Sequence, residues 1–339
     1  MMKKLLIYPF TKEMCPLVRY RSLLKEYELI AAIPEQGFGW EGKDVCEIDG
    51  GTPTGFLLGG IFSDELKRCD AVLLKGGEKN KKKEYTECEE LARASEKELI
   101  TIIPTIMQEP EITPSDLKLK EIPIPVVMVM GLGENCQKFD IQLGLRDTFM
   151  KAGYKVSQFG TKSYSMLFGV DPLPVAPETS LWKKVYLYNN LFWETYKRDK
   201  ADILIIGVPG GIMPITSYAY EMFGETALAL SYAARPDITL LSYYNVVPTQ
   251  EYFEMLRQYA HYRLGAVNIN FHASNTKLIN DNDTHALSYL TLKSQFVLDE
   301  VARHAPDMLP YIFNSLTLKS SEPVYLKVIE NLQQNVSII

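Results

Sequence analysis

The chain has 339 residues, which at roughly 150 residues per domain suggests two domains, and its 46% hydrophobic and 23% charged content fits neither disorder nor a fibrous repeat. Lys and Arg total 36 against 42 Asp and Glu, a formal net charge of −6, so there is no overall positive field to attract a nucleic-acid backbone. The five cysteines (Cys15, Cys46, Cys69, Cys88, Cys136) form no CxxC or other close pair, which argues against a zinc knuckle and a secreted disulfide framework.

Met1 to Phe10 places two lysines before Leu-Leu-Ile-Tyr-Pro-Phe, too short for a signal-peptide core and without a small-residue cleavage site. Lys3 to Tyr8 reads as a first strand. No apolar run approaches the 18 or more residues of a membrane helix, so a cytoplasmic protein without a membrane partner is expected. Tyr20 to Tyr27 reads as a helix and Leu29 to Ile33 as a second strand, a β-α-β start that implies parallel pairing. Asp70 to Lys75 is a buried strand running into Gly76-Gly77, followed by a charged helix from Glu84 to Lys97 and a strand from Leu99 to Ile103. These elements make 1–108 a Rossmann-like domain. The glycine pairs at 50–51, 59–60 and 76–77 form no GxGxxG fingerprint, so dinucleotide binding lacks its usual support.

Pro110, Pro114, Pro123 and Pro125, with Pro104 just before them, stand among charged residues and mark 109–125 as a linker. A second α/β alternation fills 126–339: strands at Val126–Met130, Tyr154–Phe159, Asp202–Ile206 and Ile238–Tyr244, and helices at Lys138–Ala152, Leu181–Lys197 and Gln250–Leu264. In the last of these, Tyr252, Met255, Leu256 and Tyr259 share a helical face that core packing explains.

The chemistry concentrates where Val126–Met130 runs into Gly131-Leu-Gly133-Glu134-Asn-Cys136-Gln137-Lys138-Phe139-Asp140 and a helix carrying Ile141, Leu145, Phe149 and Ala152 on one face. A strand-loop-helix of this kind turns backbone N–H groups and the helix dipole toward one point, and Lys138 adds a charge suited to phosphate. The pattern G-x-x-x-x-G-K-[ST] is not met: Gln137 replaces the second glycine and Phe139 the magnesium-binding hydroxyl. A longer variant fits better, with Gly131 seven residues before Lys138. A side chain at 137 crowds the cradle, while Asp140 or Glu134 can supply the lost magnesium ligand. The companion strand, Asp202-Ile-Leu-Ile-Ile-Gly207-Val-Pro-Gly210-Gly211, lacks an acid at its C-terminal end. Gly210 and Gly211 either let a ligand approach the backbone or make the turn.

The loop length, the helix and the following Gly153–Gly169 segment resemble the dethiobiotin-synthetase-like branch of P-loop proteins. The layout is similar to the two-domain family containing D-amino-acid N-acyltransferases, which joins a Rossmann-like domain to such a P-loop domain. Over its length, through Gln137-Lys138-Phe139-Asp140 and Gly160-Thr-Lys-Ser-Tyr-Ser165, the chain resembles the peptide maturation proteins of clostridial clusters for ribosomally synthesised, bacteriocin-type natural products. That resemblance implies a precursor peptide and a radical SAM maturase as partners. It supplies no reaction.

The histidines His261, His272, His285 and His304 show no HxxxH or HxH spacing, and His272 in Val267–Asn275 reads as a structural histidine after a strand. Asn270 and Asn275 match in position the asparagines that read a nucleotide base in similar P-loop domains, though polar turns also explain them. Cys136 is the one thiol placed in a helix N-terminal field. The run Lys79–Lys83 before Glu84, Glu87, Glu89 and Glu90 reads as a solvated face or as a docking patch for an acidic leader peptide. Twenty tyrosines suit peptide contact.

Three readings follow. The first is an accessory factor in peptide maturation with a degenerate P-loop, in which Gly131, Gly133, Glu134, Gln137, Lys138, Asp140, Gly210 and Gly211 bind nucleotide or an anion weakly. The second is an ATP- or GTP-dependent ligase or acyltransferase with magnesium on Asp140 or Glu134. The third is a scaffold that binds the precursor peptide or its modifying enzyme.

Overall fold

The computed structural model describes residues 2–75, 83–102, 118–174, 179–245, 249–281, 284 and 286–336. Gly76-Gly77, Lys79 to Lys82, Pro104, Pro110, Pro114 and His285 lie outside the described residues. The chain divides into two compact units, Met1–Thr105 with Lys162–Val170, and Ile106–Thr161 with Asp171–Ile339.

In the first unit the chain forms β1 (Lys3–Phe10), α1 (Cys15–Arg19), β2 (Tyr27–Pro34), α2 (Cys46–Asp49), α3 (Phe62–Arg68), β3 (Ala71–Leu74), α4 (Lys83–Ala94) and β4 (Glu98–Thr101). The four strands are parallel in the order β2-β1-β3-β4. The helix expected over Tyr20–Tyr27 is cut down to a single 3-10 turn at Arg21–Leu23. Pro16 starts α1 earlier, its fixed φ suiting a first turn, and Tyr27 instead pairs with Lys3 in the sheet and donates its hydroxyl to Glu98 Oε1 at 2.8 Å. Leu6, Tyr8, Ala31, Ile33, Val72 and Leu74 form one core with Leu66 of α3 and Ala92 of α4. Lys162–Val170 belongs to this unit although it follows the loop helix in sequence. Lys25 N–H donates to Leu167 O at 3.0 Å, and the Tyr164 hydroxyl donates to Glu13 O.

The second unit contains β5 (Val126–Gly131), α5 (Lys138–Lys151), β6 (Val156–Gly160), β7 (Asp171–Pro172), α6 (Leu181–Asp199), β8 (Ile203–Gly207), α7 (Glu225–Ala233), β9 (Ile238–Tyr243), α8 (Gln250–Leu264), β10 (Ile269–Ala273), β11 (Thr276–Asp281), β12 (Ala286–Thr291), α9 (Ser294–His304), β13 (Ile312–Phe313) and α10 (Leu318–Val336). Seven parallel strands run in the order β13-β10-β9-β5-β8-β6-β7, and β11 and β12 form an antiparallel hairpin.

β5 lies at the centre with both faces covered, which is why it reads as an unbroken apolar run. Val126, Met128 and Met130 face a core shared with α6, α7, α8 and α9. Val127 and Val129 face Ile141, Leu145 and Phe149 of α5 and Val324, Tyr325 and Val328 of α10. On α8 the core face is Phe253, Leu256, Ala260 and Leu264, while Met255 is 51% exposed, so the expected apolar face is rotated by about one position. Asp202 Oδ2 accepts the N–H of Lys155 at 2.7 Å, so this acid ties the start of β6 rather than serving the far end of β8.

Candidate functional site

β9, β5 and β8 are neighbours, and all three end at the same edge of the sheet, where a doubly wound fold places its ligands. The loop after β5 is held to both neighbours: Leu132 N–H donates to Ser242 O at 3.0 Å, and Ile212 N–H donates to Gly131 O at 3.0 Å. It is also closely packed. A Cβ on Gly131 would lie 2.5 Å from Cys136 Sγ, and one on Gly133 2.5 Å from Tyr244 Oη, so neither position accepts a side chain without movement.

Lys138 opens α5 buried, with its Nζ donating to Gly210 O. Glu134 Oε1 accepts the N–H of Gly210 at 3.0 Å, and Tyr244 Oη donates to Glu134 O at 2.5 Å. A third charged group joins them. The carboxylate of Glu221 sits against the Gly210-Gly211 turn, its Oε2 3.4 Å from where a Cβ on Gly210 would lie; burial raises its pKa, the nearby charge of Glu134 raises it further, and Lys138 partly offsets both. One backbone N–H of the Gly210-Gly211 turn therefore already faces a carboxylate oxygen beside a buried lysine, with a second carboxylate close by. Gly211 is needed there, because a Cβ would lie 2.2 Å from Leu132 O.

Glu221 begins three consecutive residues in the left-handed region, Glu221, Met222 and Phe223, with φ of 46°, 49° and 53°. Such conformations cost energy and cluster at functional sites. Met222 and Phe223 are 61% and 62% exposed, and Phe223 stacks on Tyr220 with ring centroids 5.5 Å apart. Sequence reasoning missed Glu221 because 212–220 carries no strand or helix period to place it near the loop.

Gln137 does not fill the cradle as its sequence position implies. It takes φ +62°, a conformation that favours glycine, and its Oε1 turns away to accept the N–H of Asn275 at 2.7 Å. Asp140 is buried in the first turn of α5, where its charge acts on the buried Tyr325 phenol and, with burial as the larger cause, raises its pKa. At Gly207, where a companion acid would stand, the space is filled by the buried Gln142 side chain, which a Cβ would approach to 2.3 Å. Gln142 donates to Lys138 O at 3.2 Å.

The two asparagine candidates separate. Asn275 lies at the loop, and its carboxamide is held by Asn314 Nδ2 at 2.7 Å and Ser294 Oγ at 3.0 Å. Asn270 lies near the opposite end of β10, away from Gln137. His272 is fully buried between Ser242 Oγ at 2.8 Å and Ser315 Oγ at 2.9 Å, and burial pulls its pKa down to about 3. Cys136 is also buried, its Sγ 3.0 Å from Gly133 O. Among the described residues, no three His, Cys, Asp or Glu side chains gather as a protein-only metal site, and no helix is long and apolar enough to cross a membrane.

No family model and no curated protein matches the chain. Among solved structures, a DUF1611 family protein from Anabaena variabilis superposes with a TM-score of 0.59 at 13% identity, over 98% of this chain and 99% of that chain. A nucleotide-binding protein from Archaeoglobus fulgidus in complex with ADP gives a TM-score of 0.31 at 17% identity, over 56% of this chain and 80% of that one. A GTPase from Pyrococcus abyssi gives 0.30 at 14% identity, over 61% and 97%. The likeness to the DUF1611 protein is one of fold along the whole chain. The architecture is α/β, a Rossmann-like unit with a P-loop-like one.

Proposed function

We propose that the second unit binds ATP or GTP as the magnesium complex, with the phosphates on the β5–α5 loop. One observation carries this reading: the N–H of Gly210 already holds a carboxylate oxygen of Glu134 beside Lys138, at the N-terminus of α5. Groups arranged to accept anionic oxygens suit phosphate oxygens. Glu134 and Asp140 would hold magnesium, an ion that takes one or two carboxylates and completes its shell with phosphates and water. When bound, the metal would neutralise charge on the phosphates. Lys138 would leave Gly210 O for the phosphate, and Glu221 would have to withdraw from Gly211.

Calorimetric titration with ATP and with GTP, each with magnesium, tests the proposal beside Lys138→Ala. Saturable binding that is lost in the variant supports it. No heat at millimolar nucleotide overturns it. The placement in peptide maturation rests on the motif resemblance, and co-purification with a precursor peptide and a radical SAM maturase is its test.

A further inference from the structure

The end of β10 remote from the phosphate loop borders an open groove of about 830 Å³, within the usual range for ligand sites. Its walls are α8, the segment before β13, and α10. Asn270 lines it. This residue is only 8% exposed, and its carboxamide has no hydrogen-bond partner among the described residues. Two features add to this. β13 pairs only with Phe271 and His272, so among the described residues Ile269 and Asn270 have no strand on that side, and both line the groove. Lys327 on α10 has no carboxylate within ion-pair distance among the described residues, and its Nζ lies 5.5 Å from the centre of the Tyr311 ring.

The groove also carries Gln258 and Asn331, the acid Asp307, and Arg257, which is already paired with Glu254 at 3.1 Å. Carboxamides offer both a donor and an acceptor, the complement of a peptide main chain. An uncovered strand edge recognises an extended chain in the same way. The geometry points to a binding site for a short extended peptide, with its main-chain amides on Asn270 and the β10 edge and its C-terminal carboxylate at Lys327. This inference is independent of nucleotide binding, because the groove lies at the other end of the strand from Gln137 and Asn275.

Recognition of this kind is blind to side chains, so tetra-alanine with a free carboxylate is a fair probe, with its C-terminal amide as the control. Calorimetry on the full chain without nucleotide should show saturable binding of the acid, at least tenfold weaker for the amide. Asn270→Leu should weaken the acid at least tenfold. Lys327→Met, an exposed substitution that leaves the fold intact, should make acid and amide bind alike. The inference is overturned by absence of binding at millimolar peptide, by affinities unchanged in both variants, or by inorganic phosphate displacing the peptide with equal affinity, which would make the groove a plain anion site.

Discussion

Ser242 Oγ lies 2.8 Å from His272 Nδ1, and it donates its own proton to Cys136 O at 2.5 Å. The proton between the two side chains therefore belongs to the imidazole, and Nε2 is left to accept from Ser315 Oγ. A neutral histidine is built into the floor of the β5–α5 loop.

His272 titrates at about 3 in the folded chain against 6.5 when free, because burial disfavours its charged form. A depressed histidine contributes stability that is complete above the unfolded value and is lost as pH falls below it. Urea unfolding followed from about pH 7 down to about pH 4 should show the wild type losing stability by up to a few kcal/mol more than His272→Gln over the same range. Parallel curves would remove the histidine from the acid response.

Glu221 holds the opposite sign. Its carboxyl is raised by burial and by Glu134, so its negative charge costs the folded state increasingly as pH rises through the folded value. Glu221→Gln should tighten magnesium-nucleotide binding about tenfold, since one like charge leaves the cradle. Wild-type affinity should strengthen as pH falls through the raised carboxyl value, while the variant stays flat. Equal pH profiles by calorimetry would show that Glu221 does not compete with phosphate.

Gly207 cannot be given back the acid its position invites. Gly207→Asp or Gly207→Ala drives a side chain into Gln142, which is 1% exposed, at a cost of about 1–3 kcal/mol. Gln142→Ala should restore much of the loss in Gly207→Ala, a coupling that a double-mutant cycle from chemical denaturation measures directly.

Arg19 and Asp49 in the first unit form a buried pair, 2.7 Å apart with each side chain 8% exposed. Burial pushes the Asp49 carboxyl up even though Arg19 opposes the shift. Asp49→Ala leaves the guanidinium buried without its partner and should cost about 3–5 kcal/mol. Arg19→Met with Asp49→Leu should lose clearly less, as read by thermal unfolding.

Periodicity and turn chemistry in the sequence determined most of the architecture. The runs Val126–Met130 and Ile203–Ile206 are apolar on both faces, which only a covered parallel sheet explains, and α8 begins and ends at Gln250 and Leu264 as its pattern predicts. Gly131, Gly133 and Lys138 identified the loop because a strand, a glycine turn and a helix start are local in sequence. Tertiary structure decided the rest. Lys162–Val170 joins the first unit through long-range hydrogen bonds that no local pattern encodes. Gln137 escapes the crowding expected of it only because Asn275, distant in sequence, offers an N–H outside the cradle. Asn270 and Asn275 look alike five residues apart, yet opposite ends of one strand carry them to different sites. Glu221 reaches Lys138 from an irregular segment, because the ends of adjacent strands converge in space and not in sequence.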